Sequence, residues 1–165
     1  MTGLAERTAL LDVIDKGRAH LTFDQIIEGF PVPHINTCPP NVPYSFWGVL
    51  EHLRICIHLS IDYAVGESFI PLEWPRQFWP EPGKQATEAE WHETIASIRA
   101  GIERLRSIVA DESIDLTEPC RNVSPGRSDT ILFEIVDAID HNAYHFGEFA
   151  ILRQVCGIWP IDRQS

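Results

Sequence analysis

The chain has 165 residues, and its 44% hydrophobic content is enough to fill one substantial core, which excludes intrinsic disorder. It carries 13 Lys and Arg residues against 24 Asp and Glu residues, and the resulting net charge of −11 would repel a phosphate backbone. Nucleic acids and anionic membranes are therefore excluded as primary partners. No apolar run approaches the roughly 18 to 20 residues that span a bilayer, and the first residues lack the basic segment of a signal peptide. We expect a single domain over residues 1–165, located in the cytoplasm.

The four cysteines are predicted to be free thiols. Cys38, Cys56, Cys120 and Cys156 include no C-x-x-C pair, and a chain of this length does not depend on disulfides for a core. Cys56 and Cys156 fall inside apolar helical patterns, where a thiol acts as a small buried hydrophobic group more often than as a nucleophile. We therefore assign the thiols no role.

Helical spacing and helix end signals recur along the chain, whereas alternating strand patterns are hard to find, which predicts an all-α protein. The first helix is predicted over residues 4–21. A short helical piece follows, which begins at a capping box of Thr22 and Gln25 and ends at Gly29. Five prolines lie between residues 30 and 44 and prevent a helix there, so this stretch is predicted to be an ordered, extended connection.

The second long helix is predicted from the N-cap Ser45 to Gly66. The connection over residues 70–86 combines four prolines with Trp74, Phe78 and Trp79. Long connections with apolar aromatic side chains are pinned to the protein surface or cover a binding site. Two interpretations stay open for this segment, a loop that caps the core and a lid over a substrate.

The third long helix begins at a capping box of Thr87 and Glu90 and carries an apolar stripe at spacings of four and three residues. The fourth is predicted over residues 129–156, where Gly157 and Pro160 stop it. Four long amphipathic helices without an internal repeat predict one four-helix bundle with long Pro-rich connections.

Histidines are the unusual supply of ligands in this chain, which has seven of them. On a helical wheel of the second long helix, Glu51, Arg54, His58 and Asp62 define a solvent-exposed face, whereas His52 lies inside the apolar arc. A buried imidazole needs a polar partner. His52 is therefore either a hydrogen-bonded core residue or a metal ligand.

The fourth long helix contains the segment H-N-A-Y-H. This spacing places His141 and His145 about 6 Å apart along one helix face, as two ligands of one metal ion require, although the spacing is not specific for metal. The wheel turns both side chains toward the edge of the core. Together with His52 they would form a three-nitrogen site with an open fourth position, which is typical of catalytic zinc. A water or a thiol bound there can lose its proton near neutral pH and act as a nucleophile.

Three acidic residues, Glu134, Asp137 and Glu148, lie toward the same side of the fourth helix. They could orient the histidines by accepting hydrogen bonds, serve as a general base, or face solvent at the helix edge. The sequence alone does not identify a catalytic residue. The two candidates are Glu148 and Asp137.

Residue spacing excludes several other sites. A di-iron bundle needs Glu-x-x-His, but no glutamate stands three residues before any of the five histidines of the long helices. A zincin needs H-E-x-x-H, and Asn142 stands where the glutamate would be. The chain also contains no phosphate loop, G-x-S-x-G or G-x-G-x-x-G. The sequence therefore contains no motif that supports nucleotide-dependent or serine-hydrolase chemistry.

Two segments resemble the DinB/YfiT-like superfamily of small bacterial metalloproteins. IDHNAYHFGEFAILRQVCGIWP (residues 139–160) is similar to the closing helix of that family, with a histidine pair followed by Gly, an acidic or amide residue, and Leu-Arg. YSFWGVLEHLRI (residues 44–55) resembles its Ser-x-Trp-x-x-x-x-His helix. Helix order extends the resemblance over nearly the whole chain. It implies a four-helix bundle in which His52, His141 and His145 hold a divalent metal ion such as Zn, Ni or Fe.

Members of that family include S-transferases and a maleylpyruvate isomerase that use low-molecular-weight thiols, and others are described as metal-dependent hydrolases. The resemblance thus implies an enzyme that transfers a low-molecular-weight thiol to a small-molecule substrate, and it implies a homodimer. A metal-dependent hydrolase and a non-catalytic metal-binding bundle remain the alternatives. Where the family often has Gln three residues after its last histidine, this chain has Glu148, which replaces an amide by an anion.

Overall fold

A computed structural model describes residues 3–159 of the chain. Within this range the protein has five α-helices, one 3-10 helix (Val32–His34) and no strand, so the all-α prediction is confirmed. None of the helices in this range combines the length and the apolar character needed to cross a membrane. The α-helices are α1 (Leu4–Lys16), α2 (Phe23–Ile27), α3 (Phe46–Val65), α4 (Glu88–Ala110) and α5 (Ile131–Val155).

Side-chain caps begin the helices where the sequence predicts. The Thr22 and Thr87 hydroxyls each accept a hydrogen bond from the backbone three residues on, and Gln25 and Glu90 return the bond, which completes both predicted capping boxes. The Ser45 hydroxyl accepts from the Gly48 amide and begins α3. These local hydrogen bonds satisfy backbone amides that the first helical turn leaves free, so the starts are set by local sequence.

One helix end differs from its prediction, and part of another prediction lies outside the described residues. The first helix ends at Lys16 and not at residue 21, because Gly17 adopts a left-handed conformation with φ of 64° and its amide bonds the Val13 carbonyl. In α5, Gly157 also has positive φ, 67°, directly after the helix. The predicted stop at Pro160 lies outside the described residues.

Helix α3 is the centre of the packing. It contacts α4 on one side and α5 on the other, while α1 packs on α4 and α2 packs on α5. Gly101 of α4 allows a close approach, since a Cβ there would lie 2.9 Å from the Ile57 side chain. Full burial of each large apolar side chain contributes about 1.5–3 kcal/mol. The buried apolar residues of α3 are Phe46, Trp47, Val49, Leu50, Leu53, Ile57, Ile61 and Ala64.

The polar face of α3 is less exposed to solvent than the sequence predicts, which corrects that prediction. Only Asp62 is exposed to solvent as predicted, whereas Glu51, Arg54 and His58 are partly buried. The Thr94 hydroxyl donates to Glu51 at 3.2 Å, and Nε2 of His58 lies 2.9 Å from the Ser97 hydroxyl. Both partners belong to α4. A helical wheel separates polar from apolar residues, but it does not distinguish water from a polar neighbouring helix.

Two buried arginines fasten loops to helices. Arg7 of α1 is 4% exposed, and its guanidinium donates to the carbonyls of Val109 at 2.8 Å and Asp111 at 3.0 Å and also to that of Ile114. It thereby satisfies carbonyls at the C-terminal end of α4 that the helix cannot pair. Arg153 of α5 is fully buried and donates to backbone carbonyls in the same way at Ile26, Glu28 and Ile158.

Replacing Arg7 by methionine is expected to lower the free energy of unfolding by at least about 2 kcal/mol, because buried carbonyls that lose a partner cost about 1–3 kcal/mol each. Urea unfolding followed by circular dichroism measures the loss. Arg104→Met is the matched control, since Arg104 is exposed on α4 and should change stability by less than about 0.5 kcal/mol. Equal losses in the two variants would contradict the capping role of Arg7.

Candidate metal centre

The structure brings together the three histidines that the sequence singles out. His52 of α3 is 2% exposed and His145 of α5 is 7% exposed, while His141 of α5 is partly buried. One ring nitrogen from each of the three lies within 4.8 Å of the other two. The ring centroids are separated by 4.6 to 5.1 Å, so the imidazoles surround a common point. Such a group could hold a metal ion.

One nitrogen pair has the spacing of two ligands on one ion. Nε2 of His52 lies 3.2 Å from Nε2 of His141. Ligands placed about 2.0–2.1 Å from a tetrahedral centre are about 3.3 to 3.4 Å from one another. The donor set also fits, because three imidazoles suit Zn, Ni and Fe. The residues present therefore fit a divalent metal ion.

Backbone and ring contacts from the 70–86 segment orient His52. Its Nδ1 lies 2.7 Å from the Phe78 carbonyl oxygen, which can only accept, so Nδ1 carries the proton and Nε2 keeps its lone pair. The Trp79 indole stacks on the same imidazole with ring centroids 4.0 Å apart and planes within 2°. Residues 78 and 79 of this connection thus cover the site and fix the ring that faces it.

Glu148 orients the second ligand candidate. Nδ1 of His145 donates to Glu148 Oε2 at 2.6 Å, which leaves Nε2 of His145 as the ligating nitrogen. The Tyr44 hydroxyl donates to the other carboxylate oxygen. Burial raises the pKa of Glu148, but the hydrogen bonds from His145 and Tyr44 outweigh burial and bring its pKa below the ordinary value. Of the interpretations open for this acid, the structure supports the one that orients a histidine.

Burial favours the neutral, ligating form of two of the imidazoles, those of His52 and His141. Burial, together with smaller effects of the neighbouring His145 and His52 rings, lowers the pKa of His141 to about 4. Burial also lowers the pKa of His52, against a smaller opposite effect of the Phe78 carbonyl. A metal ion competes with protons for ring nitrogens, so rings that are neutral at pH 7 bind it without first losing a proton.

A cavity of about 310 Å³ adjoins the three histidines, here called the triad, and His52 and His141 lie on its wall. The candidate Asp137 is exposed on this wall, and Glu134 beside it is partly buried. The remaining lining residues are Cys56, Ile57, Leu59, Ser60, Trp74, Phe78, Ala138 and Asn142. A small molecule in this cavity would lie against two of the three imidazoles.

The four cysteines are free, as predicted. Cys56 is near the site, with Sγ 3.5 Å from Nδ1 of His52, but burial raises the pKa of its thiol to about 12. A thiol with so high a pKa is protonated at neutral pH and is a poor nucleophile. Cys56 therefore packs beside the triad as a small apolar group.

Tyr44 and Trp79 are further residues of the site; the sequence pointed to Trp79 only as part of a connection that could cover a substrate, and it did not single out Tyr44. Tyr44 precedes the N-cap of α3, and Trp79 lies in a proline-rich connection, so no helical spacing links either one to a histidine. They stack on each other with ring centroids 4.7 Å apart. These two aromatic residues come close to the histidines only when the chain folds, so no local motif predicts their contact.

Comparison with protein-family models finds no match to this chain, and comparison with curated proteins finds none either. The features of this chain that bear on its function are therefore the three histidines, the residues that orient them and the cavity beside them.

Glu148→Ala is expected to weaken zinc binding by about 10- to 100-fold, because loss of a hydrogen bond that orients a ligating histidine has effects of this size. Glu148→Gln should lose less, since an amide oxygen still accepts from Nδ1 of His145. Competition with a chromogenic zinc chelator measures the affinities. Asp140→Asn, an exposed change on the same helix, is the control, and a Glu148→Ala affinity equal to that of the control would contradict this role.

Proposed function

We propose that this chain is a DinB/YfiT-like metalloenzyme, a four-helix bundle that transfers a low-molecular-weight thiol to a small electrophilic substrate. A divalent ion on His52, His141 and His145 is its cofactor. The observation that carries the proposal is the convergence of three ring nitrogens within 4.8 Å beside a cavity of about 310 Å³. The thiol and the homodimer come from the sequence resemblance.

The ligand count favours a catalytic over a structural metal. Structural zinc sites are almost always closed by four protein ligands, whereas catalytic sites use three and leave one position open. Among residues 3–159, no fourth His, Cys, Asp or Glu side chain joins the group of three histidines. The open position would therefore be available to a ligand from solvent or from a substrate.

A divalent ion bound there would lower the pKa of a coordinated water or thiol to near neutrality. The protein's own residues prepare the site for this chemistry. The Phe78 carbonyl and Glu148 hold the protons on Nδ1 of His52 and His145, so both Nε2 atoms face the centre. Trp79 covers one face of His52 and keeps water from it. The cavity gives a small molecule access at His52 and His141.

Metal content is the first test of this proposal. Untagged wild-type protein should carry about one equivalent of a divalent metal by inductively coupled plasma mass spectrometry, and His141→Ala should carry little. His92→Ala is the matched control and should retain the wild-type content, because His92 is exposed on α4. Absence of metal from the wild type, even after reloading with Zn²⁺ or Ni²⁺, would refute the proposal.

Turnover assays separate thiol transfer from hydrolysis. Metal-loaded protein should accelerate the reaction of 2-mercaptoethanol with 1-chloro-2,4-dinitrobenzene, in which a C–S bond replaces the C–Cl bond and chloride and a proton leave. A chelator should abolish the acceleration. Turnover of 4-nitrophenyl acetate without added thiol, and none of the arylation, would instead identify a hydrolase.

Thermal melting with and without chelator tests for the non-catalytic alternative. An open catalytic site can empty with little change in melting temperature, whereas a metal that clips helices together couples strongly to folding. We expect a shift of a few degrees at most, since buried apolar residues of α3, α4 and α5 form the core independently of the triad. Unfolding on removal of the metal would identify a structural ion.

A further inference from the structure

Helix α5 exposes apolar side chains along its whole length. Five of them are between 47% and 69% exposed, namely Phe133, Val136, Tyr144, Ile151 and Val155. Helical periodicity places them within an arc of about 100°, on the opposite side of the helix from the residues that pack in the core. The other residues of this arc, here called the outer face, are Asp137, Asp140, Gly147 and Gln154. A solvent-facing side of a helix is normally polar, so this apolar face is unusual.

The exposed apolar area of the outer face is large enough for an interface between two copies of the chain. A fully exposed aromatic side chain presents about 150–250 Å², so the five partly exposed side chains leave roughly 500 Å² of apolar surface on each copy. Two such faces in contact would bury about 1,000 Å², the lower limit for a specific interface. Apolar patches of this size on a single chain are often interaction sites.

The apolar positions of the outer face are symmetric about Tyr144. Phe133 and Val155 each stand 11 residues from it, and Val136 and Ile151 stand eight and seven residues from it. In an interface with two-fold symmetry, if residue i of one copy contacts residue j of the other, then j also contacts i. A second copy in the antiparallel orientation therefore places each of these apolar side chains opposite another one. The face is complementary to itself.

The charges of the outer face favour the antiparallel over the parallel orientation. Asp137 and Asp140 lie before Tyr144, and the part of the face after Tyr144 carries no charge. In a parallel pair each acid would lie opposite its own copy, and like charges at short distance repel. In an antiparallel pair Asp140 lies opposite Gly147, and the dipoles of the two helices run in opposite directions.

Gly147 is explained by a second helix on this face. A Cβ at this position would lie more than 4 Å from the other described residues, apart from the adjoining backbone of its own helix, so packing within the chain does not require glycine there. Glycine inside a helix is less favourable than alanine. The distance between two packed helices depends on the side chains at their contact, and a glycine allows them to approach closely.

We propose that two copies of this chain associate through the outer faces of α5, in the antiparallel orientation and with Tyr144 at the two-fold axis. This pairing rests on the proposed function for the expectation of a homodimer, and it names the surface. The Tyr144 ring also packs edge to face on the His145 imidazole, with ring centroids 4.9 Å apart. The second copy would therefore cover a residue that borders the metal centre.

Sedimentation equilibrium of the full chain tests the association. The wild type should form a dimer at micromolar concentration. Tyr144→Asp and Ile151→Glu should each raise the dissociation constant of the dimer about tenfold or more, as expected for residues at the centre of an interface. Leu4→Glu is the matched control, because Leu4 is 73% exposed on α1, a helix that packs on α4. An equal loss in the control would overturn the pairing.

Disulfide trapping tests the orientation of the two helices. The exposed Cys38 is first replaced by serine in all variants. After subunit exchange, oxidation with diamide should crosslink a mixture of the Phe133→Cys and Val155→Cys variants. Neither variant should crosslink with itself, because position 133 of two antiparallel copies is about 33 Å apart along the helices. Crosslinking of Phe133→Cys with itself, or none in the mixture, would overturn the antiparallel pairing.

Metal content distinguishes failure of this pairing from failure of the proposed function. A wild-type dimer that binds no metal, even after reloading with Zn²⁺, refutes the metalloenzyme and leaves the pairing. A wild type that binds zinc but stays monomeric at the highest concentration reached refutes the pairing, leaves the metal centre, and assigns the outer face to a different partner.

Discussion

Two hydrogen bonds at imidazole Nδ1 atoms decide what the centre of this protein can do. A neutral histidine has one nitrogen that donates and one that accepts, and the partner of the first determines which nitrogen remains free. The Phe78 carbonyl and the Glu148 carboxylate accept hydrogen bonds from Nδ1 of His52 and His145, which leaves the Nε2 lone pairs of both rings free for a common metal ion. Without these acceptors the same rings could rotate or change tautomer, and the nitrogens would not converge.

Burial with a specific partner is the general means by which polar groups organise this fold. Arg7 and Arg153 are nearly inaccessible, yet each is paired with backbone carbonyls and ties a helix to a distant segment. Glu51 accepts from Thr94 across the contact of α3 with α4, where Gly101 permits the close approach. Because an unpaired buried group is costly, each of these bonds restricts the arrangement of the helices. The restricted helices in turn hold the histidines of α3 and α5 in place.

The sequence predicts the parts of this structure that depend on local interactions. The starts of α2, α3 and α4 follow from Thr22, Ser45 and Thr87, whose caps involve residues only three positions away. The inward direction of His52 and His145 follows from helical periodicity. The polar contact of α3 with α4 and the hydrogen bond from Tyr44 to Glu148 were not predicted, because the residues involved are distant in sequence. Local patterns contain no information about which distant side chain will be the neighbour.

The carboxylate at position 148 has an electrostatic consequence that an amide would not have. The Glu148 carboxylate, which accepts a hydrogen bond from His145, would partly offset the charge of a divalent ion held by the three imidazoles. A carboxylate acceptor makes the opposite ring nitrogen more basic and a better donor to a metal. It also reduces the net positive charge that acidifies a coordinated thiol or water. Tyr44 opposes this effect, because its hydroxyl donates to the same carboxylate and withdraws part of its charge from His145. In the proposed metalloenzyme, the chain of Tyr44, Glu148 and His145 would therefore set a balance between affinity for the metal and activation of the nucleophile.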